Sequence, residues 1–202
     1  NVLSAFSDNV NIAIENAKLL EDSIEKEKYK KELYIAREIE QKLLPQKLPN
    51  IRNYSISGYT SPAEEVGGDY YDVVFLKNDK TCILIGDVSG KGMSAAFYMA
   101  QLKGVVLAVA KEAIGAKDIL QRINDTLYRT IEKQMYITLS AVVIESDEGD
   151  ISYSRAGHMP AIIKKESSIS MITPKCICIG LAGKEFFNEV LSEEKINLNL
   201  SN

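Results

Sequence analysis

The chain has 202 residues, of which 46% are hydrophobic, so it is long and apolar enough to bury the core of one domain with residues to spare. Its 28 acidic and 24 basic side chains give a net charge of −4, and without a block of Lys and Arg this excludes nucleic acid as an expected partner. We find no apolar run of membrane-spanning length and no signal peptide, and therefore expect a cytoplasmic protein. The cysteines follow no zinc pattern and are expected to be reduced: Cys82, Cys176 and Cys178.

Residues 1–48 are predicted to form a helical linker, because helix formers and charges dominate and neither Gly nor Pro occurs before Pro45. A helix from about Val10 to Leu44 would be on the order of 50 Å long at 1.5 Å per residue. An apolar seam of the coiled-coil kind runs along it, with a charged interruption, through Ala13, Ala17, Leu20 and Ile24 and then Leu33, Ala36, Ile39 and Leu43. The seam favours a dimerising linker that transmits a signal. The alternative is a solvated helix packed on its own domain.

Residues 49–202 are predicted to form one domain, since Pro45 and Pro49 end the helix. Strands are predicted around Ile56, at 69–76 and in TCILIGD, with the turn at 77–80 joining the last two as a hairpin. Two helices at about 93–112 and 116–134 follow. The remaining runs are all predicted as strands: YITLSAVVIES, ISYSRAG, AIIK, SISMIT, EFFNEVL and KINLNL. Connections this short make the strands antiparallel, and the order of elements indicates an α+β fold.

The segment GDVSGKG resembles a phosphate-binding loop but does not match the Walker A pattern. Three residues rather than four separate Gly86 from Gly90, and Gly92 occupies the place of the Ser or Thr that binds magnesium. What remains is Asp87 at the end of an apolar strand, followed by a flexible turn and a helix. The loop therefore indicates a carboxylate at a strand end rather than a nucleotide site.

A second aspartate, Asp69 in GGDYYD, also lies at a strand end beside glycines. If the hairpin brings Asp69 and Asp87 within about 4 Å, they repel by about 4 kcal/mol at an effective dielectric near 20, so a cation or a proton should lie between them. Magnesium and manganese prefer such oxygen ligands, and the carbonyl of Val88 is a further candidate. A simple turn is the alternative. Nucleotide cyclisation is a weaker one, because the GGDEF signature of diguanylate cyclases needs an acidic residue where this chain has Tyr70.

Four motifs in this order closely resemble the bacterial PP2C-like serine/threonine phosphatases of the SpoIIE and RsbU group: SPAEEVGGDYYD, IGDVSGKGMSAAFYMAQLKG, MYITLSAVVI and SRAGHMPAII. Upstream, AREIEQKLLPQKLP resembles the helix that leads into that domain, and NVNIAIENAKLLED resembles the last helix of a GAF sensor domain. The likeness runs from about Ala36 to Ala161 and more loosely to the end. It implies an αββα sandwich of antiparallel sheets with a site for two manganese or magnesium ions.

By this resemblance, Asp87 bridges the two ions, while Asp69 and the backbone carbonyl of Val88 complete part of the site. Water held by the ions attacks the phosphorus in line, so no catalytic side chain is expected beyond metal-bound water. Four further residues are expected near the site. Asp72 and Glu65 are expected as hydrogen-bond supports, and Lys91 as a solvated lysine, with attraction of the phosphate as its alternative. His158 is expected as a structural histidine, with general acid catalysis as its alternative.

The chain departs from the family pattern in two places. Arg155 stands where the family usually has Asn before Ala-Gly-His. In addition, the family's Thr-Asp-Gly motif and a later Asp, which both supply metal ligands, have no counterpart before Asn202. We therefore expect a chain that lacks the last strands and a helix, with weak metal binding and little or no activity.

The leading hypothesis is a metal-dependent protein phosphatase that acts on phosphoserine or phosphothreonine. The resemblance implies a STAS-type anti-sigma-factor antagonist as the substrate, control by an upstream sensor domain, and a homodimer formed through the N-terminal helix. The alternative from a different class is a non-catalytic phosphatase-like module that binds a partner and dimerises.

Overall fold

The structure is a computed structural model that describes residues 2–61, 67–165 and 168–198, with side chains described from residue 10 onward except that of Asn78. Its helices are α1 (Val2–Leu43), α2 (Met93–Ala110), α3 (Ala116–Leu127) and α4 (Lys184–Val190), with a 3-10 turn at Lys77–Asp79. Its strands are β1 (Asp69–Phe75), β2 (Thr81–Val88), β3 (Ile137–Ile144), β4 (Asp150–Ala156), β5 (Ala161–Lys165), β6 (Ser168–Ile172) and β7 (Glu193–Asn197).

The described strands form two antiparallel sheets. The larger sheet has five strands in the order β1-β2-β3-β4-β7, and β5 pairs with β6 in a separate two-stranded sheet. The chain leaves the larger sheet after β4, forms the β5–β6 hairpin, and returns through α4 to place β7 beside β4. This confirms the predicted α+β class with antiparallel sheets behind a long N-terminal helix.

The β1–β2 hairpin shows the alternation of a sheet with one covered face. Tyr70, Val74 and Leu84 are buried, and helices α2 and α3 pack on this sheet. The residues that alternate with these along each strand point to the other face, and they include Asp69 and Asp87. The two aspartates therefore lie on the face opposite the tightly packed core.

Helix α2 is apolar on most sides, and α3 is amphipathic. Met99, Leu102 and Val106 of α2 are completely buried in the main core. Among the described helices, α2 alone has the length and composition to cross a membrane, with a mean hydropathy of 1.4. This corrects the expectation that no apolar run reaches that length, although a buried core helix has the same composition.

Helix α1 has two parts with different surroundings. Its residues 10–32 are exposed, whereas Leu33 and Ala36 are buried together with Ala96 of α2. The predicted seam continues at Glu40 rather than at Ile39, because Glu40 is buried and Ile39 is 50% exposed. The second part of the helix therefore packs on its own domain, and the first part is a free-standing surface in this chain.

Three predicted elements differ from the structure. The run around Ile56 is not a strand, since residues 55–61 have no regular structure. The second of the two central helices ends at Leu127 rather than near residue 134. The run EFFNEVL forms α4 rather than a strand. The buried Phe187 and Leu191 are four residues apart, so they lie on one face of a helix, and the Leu191 N–H donates to the Phe187 carbonyl at 3.0 Å.

Candidate metal centre

Asp69 and Asp87 are direct partners across the β1–β2 hairpin. The register pairs Asp69 with Asp87 and Phe75 with Thr81, so the turn at 77–80 determines that the first residue of β1 meets the end of β2. Residues directly opposite one another in antiparallel strands have Cβ atoms about 4.5–5.5 Å apart, and like charges in that position are destabilising. The structure thus brings together the two carboxylates that the sequence predicted as metal ligands.

The pKa of Asp87 is raised above its ordinary value of 3.8. Burial of its carboxylate is the largest cause, and the negative charge of Asp69 acts in the same direction. The nearby His158 and a backbone hydrogen bond from Val88 oppose the rise. A cation between the two aspartates would favour the ionised form of both carboxylates, because it stabilises both negative charges.

A gap beside Gly68 borders the Asp87 carboxylate and the Val88 carbonyl. A Cβ at position 68 would lie 2.6 Å from the Val88 carbonyl oxygen and 3.1 Å from Asp87 Oδ1. The absent side chain of Gly68 therefore leaves open the space that both oxygens face. The donors are all oxygen, as hard divalent cations require, so the residues present fit manganese or magnesium.

The loop after β2 holds the Val88 carbonyl in place through its neighbours. The Val88 N–H donates to the Gly68 carbonyl at 3.0 Å, and the Ser89 N–H donates to the Tyr136 carbonyl at 3.0 Å. Gly90 and Gly92 both have positive φ values, 100° and 64°, which residues with a Cβ rarely adopt. These turns let the chain leave β2 at Val88 and begin α2 only five residues later.

Thr138 and His158 form the wall next to Asp87. Thr138 pairs with Asp87 across β2 and β3, and its hydroxyl donates to the Asp87 carbonyl at 3.3 Å. The Thr138 hydroxyl oxygen also lies 2.9 Å from His158 Nδ1. Because a hydroxyl has one proton, Nδ1 is the donor to Thr138 when the hydroxyl proton is directed at the Asp87 carbonyl, and Nε2 is then unprotonated in the neutral ring. Burial lowers the pKa of His158, although Asp87 and Asp69 oppose the change.

Two more residues contact the GGD segment, and neither was identified from the sequence. The hydroxyl of Thr60 donates to Asp69 Oδ2 at 3.2 Å. Glu40, near the end of α1, accepts a hydrogen bond from the Gly67 N–H through Oε2 at 2.9 Å. Burial raises the pKa of Glu40, and the charge of Asp69 contributes to the rise. The signal for Glu40 was available, because it follows Leu33 and Ala36 at the spacing of the buried seam.

The remaining residues expected near the site are Asp72, Lys91 and Glu65. Asp72 is on the opposite face of β1, since it is three positions after Asp69 in the strand, and it accepts hydrogen bonds from Tyr70 and Lys103. It anchors α2 to β1 rather than supporting the metal site. Lys91 is exposed in the loop before α2. Glu65 lies outside the described residues.

Arg155 lies beside His158 rather than beside the carboxylates. Its Nη1 donates to the His158 carbonyl at 2.7 Å, while its buried Nε has no hydrogen-bond partner. The residue that replaces the family's usual Asn thus supports the backbone of the Ala-Gly-His turn. Within the described part of the chain, no group of three or more His, Cys, Asp or Glu side chains has the arrangement of a metal site.

Solved structures that share this fold include PP2C phosphatase domains. The SiaA-PP2C domain of Pseudomonas aeruginosa matches 86% of this chain over 68% of its own, with a TM-score of 0.66 and 15% identity. The PP2C phosphatase domain of SpoIIE from Bacillus subtilis matches 65% of this chain over 38% of its own, with a TM-score of 0.54 and 22% identity. The fold is therefore that of a PP2C-type phosphatase domain.

The family follows from the sequence comparison. The Stage II sporulation protein E (SpoIIE) family model matches residues 77–195, which is more than half of the chain, so the chain belongs to the SpoIIE family. The phosphoserine phosphatase RsbU of Bacillus subtilis (strain 168) is 28% identical over 156 residues, which cover 76% of this chain and 46% of RsbU. The chain spans less than half the length of the curated relatives it matches.

Proposed function

We propose that this chain belongs to a metal-dependent protein serine/threonine phosphatase that acts in bacterial signalling. The observation that carries the proposal is the direct pairing of Asp69 with Asp87 beside the gap at Gly68. Two facing carboxylates destabilise a hairpin unless a cation compensates them, so their position needs a function. Membership of the SpoIIE family supports phosphate ester hydrolysis as that function.

The proposed metal ligands are the carboxylates of Asp87 and Asp69 and the carbonyl oxygen of Val88. When bound, manganese or magnesium supplies an activated water and neutralises charge on the phosphoryl oxygens. Without such a cation, the two carboxylates would repel an approaching phosphate ester. The chain's own contribution is to hold these oxygens on a rigid hairpin and to leave the space at Gly68 free.

His158 and Thr138 are proposed to support this site. Their hydrogen bond turns the ring so that Nδ1 faces Thr138, which in turn contacts the backbone of Asp87. This contact holds β2 and the Ala-Gly-His turn together at the edge of the aspartate pair. A structural role of this kind agrees with the lowered pKa of His158, because the neutral ring is favoured.

The proposed substrate is a phosphoserine or phosphothreonine protein, with a STAS-type anti-sigma-factor antagonist as the specific candidate. Support comes from relatives whose names describe phosphoserine phosphatases, RsbU and RsbP of Bacillus subtilis (strain 168), both of which this chain matches over 68% of its length or more. We place the protein in the cytoplasm, where such a substrate would be found.

We further propose that α1 forms a homodimer and connects residues 49–202 to an upstream sensor. Leu20 and Ile24 are 63% and 60% exposed in this chain, although their spacing is that of a coiled-coil seam. A second copy of the helix would cover them. The likeness of residues 9–22 to the end of a GAF domain remains a prediction about that sensor.

The proposed function is tested by replacing Asp87 with Asn in the longest natural polypeptide that contains these residues. Asp87→Asn keeps the size of the side chain but removes its charge, so we expect manganese binding and manganese-dependent hydrolysis of a phosphoserine protein to fall by at least about 100-fold. The matched control is Asp79→Asn in the same hairpin. Asp79 is exposed and has φ 59°, a conformation that Asn tolerates well.

Binding is measured by titration calorimetry with manganese chloride, and hydrolysis by release of inorganic phosphate. Circular dichroism checks that both variants are folded. Undiminished hydrolysis by Asp87→Asn would contradict the assignment of this residue. If wild type binds manganese, Asp87→Asn does not, and wild type releases no phosphate from the phosphoproteins tested, the non-catalytic binding module becomes the better description.

A further inference from the structure

Glu40 is a buried carboxylate, whereas the charged residues of α1 from Glu15 to Glu38 are exposed. Glu40 is only 1% exposed, whereas Arg37 and Glu38, three and two residues earlier, are open to solvent. A carboxylate loses much hydration energy on burial and is seldom buried without partners. The burial of Glu40 therefore indicates that its carboxylate has a hydrogen-bond partner inside the protein.

The partner is the backbone directly before Asp69. Glu40 Oε2 accepts the hydrogen bond of the Gly67 N–H at 2.9 Å. Gly67 and Gly68 precede Asp69 directly, and the Gly68 carbonyl in turn accepts the Val88 N–H. A chain of two glycines has wide conformational freedom, so an external anchor is needed to hold it in one conformation.

Helix α1 is itself held firmly where it carries Glu40. Leu33 and Ala36 pack against Ala96 of α2, and Leu44 enters the main core. Ala36 and Glu40 are one turn apart on the same helix face. The packing of Ala36 on α2 therefore keeps Glu40 on the buried side of the helix, where it meets the Gly67 N–H, and limits its freedom to move.

We propose that Glu40 is a positioning residue, whose acceptor oxygen holds the Gly67–Gly68 backbone so that Asp69 stays opposite Asp87 in the arrangement that binds the metal cation. The inference rests on the proposed function, because it assigns Glu40 a role at that metal site. Glu40 acts through a backbone amide and contacts neither the metal nor the substrate. Its role is that of an acceptor and not of a charge, since a third negative charge near the aspartates adds repulsion.

The test compares three variants of the longest natural polypeptide that contains these residues. Glu40→Gln keeps an acceptor oxygen and removes the charge. Glu40→Met has a similar size and removes the acceptor. Glu38→Met is the matched control, because it makes the same type of change at an exposed position of the same helix.

We expect the dissociation constant for manganese to rise about tenfold in Glu40→Met, because a buried N–H group loses its partner. It should stay within about threefold of wild type in Glu40→Gln, where the amide oxygen can accept the same bond. In hydrolysis of p-nitrophenyl phosphate, the manganese concentration for half-maximal activity should follow the same order. At saturating manganese, kcat and the KM for the ester should return to near wild type. Amide exchange at 67–69 should be faster in Glu40→Met.

Several outcomes would overturn the inference. Wild-type manganese affinity in Glu40→Met, with Asp87→Asn unable to bind, would leave the metal site standing and remove the role of Glu40. An equal loss in Glu40→Gln and Glu40→Met would show that the charge matters instead of the acceptor. A lower melting temperature with unchanged manganese affinity of the folded protein would show a merely structural contact. If wild type binds no manganese, the proposed function fails and the inference fails with it.

Discussion

Replacing Gly68 by alanine tests whether the gap at the aspartate pair is needed. The new Cβ would lie 2.6 Å from the Val88 carbonyl oxygen, a distance that Cβ atoms do not adopt, so the hairpin backbone must move. Overpacking of this kind costs about 1–3 kcal/mol, and the lower entropy of the unfolded alanine chain offsets about 0.4–1 kcal/mol. We expect Gly68→Ala to lower the free energy of unfolding by about 1–2 kcal/mol. Manganese affinity should fall at least tenfold.

The matched control is Gly104→Ala in the middle of α2. A Cβ at Gly104 would meet no atom within 4 Å, and alanine favours a helix interior over glycine by about 0.5–1 kcal/mol. Gly104→Ala should therefore raise the free energy of unfolding by that amount and leave manganese binding unchanged. The same chemical change thus has opposite expected effects at the two positions.

The assay is urea denaturation followed by circular dichroism, with and without manganese chloride, together with calorimetric titration of the folded protein. Added manganese should stabilise wild type and Gly104→Ala but not Gly68→Ala, because a ligand stabilises only the state that binds it. The reasoning would be refuted if Gly68→Ala were as stable as Gly104→Ala and bound manganese with wild-type affinity.

Three further predictions follow from other contacts. Lys103→Met leaves the buried Asp72 without its cation and should lower the free energy of unfolding by about 3 kcal/mol in urea, whereas Lys184→Met at an exposed pair should cost less than about 1 kcal/mol. In metal-free buffer, Asp87→Asn should gain stability relative to wild type as the pH rises from 4 to 7, because the raised pKa of Asp87 means that its ionisation destabilises the folded state; a constant difference across this range would contradict that. Leu20→Glu should weaken dimerisation, as measured by sedimentation equilibrium, and an unchanged dimer would argue against the linker interface.

Much of the secondary structure could be predicted from local patterns. The long helix, the β1–β2 hairpin and the strands from β3 to β6 follow from periodicity and turn residues, which depend on neighbours along the chain. The run EFFNEVL was misassigned because a short apolar run has no clear period. Only the burial of Phe187 and Leu191 in the folded protein distinguishes a helix there.

The candidate site was predicted in part. Asp69 and Asp87 were identified because aspartates at strand ends beside glycines are recognisable in sequence. Asp72 was expected as a hydrogen-bond support near the site, and the structure places it on the other face of β1, as its odd separation from Asp69 indicates. The contacts of Thr138 and Glu40 were missed, because their partners are 51 and 27 residues away in the chain.

By itself, therefore, the sequence determined the family likeness, the alternation of each strand and the two acidic residues on which the metal proposal depends. The tertiary structure decided that Asp69 faces Asp87, that the gap at Gly68 borders Asp87 and Val88, and that Glu40 reaches the Gly67 backbone from a distant helix. The physical reason is the range of the interactions. Periodicity records which neighbours share a face, whereas packing between remote segments determines which faces meet and which polar groups are buried there.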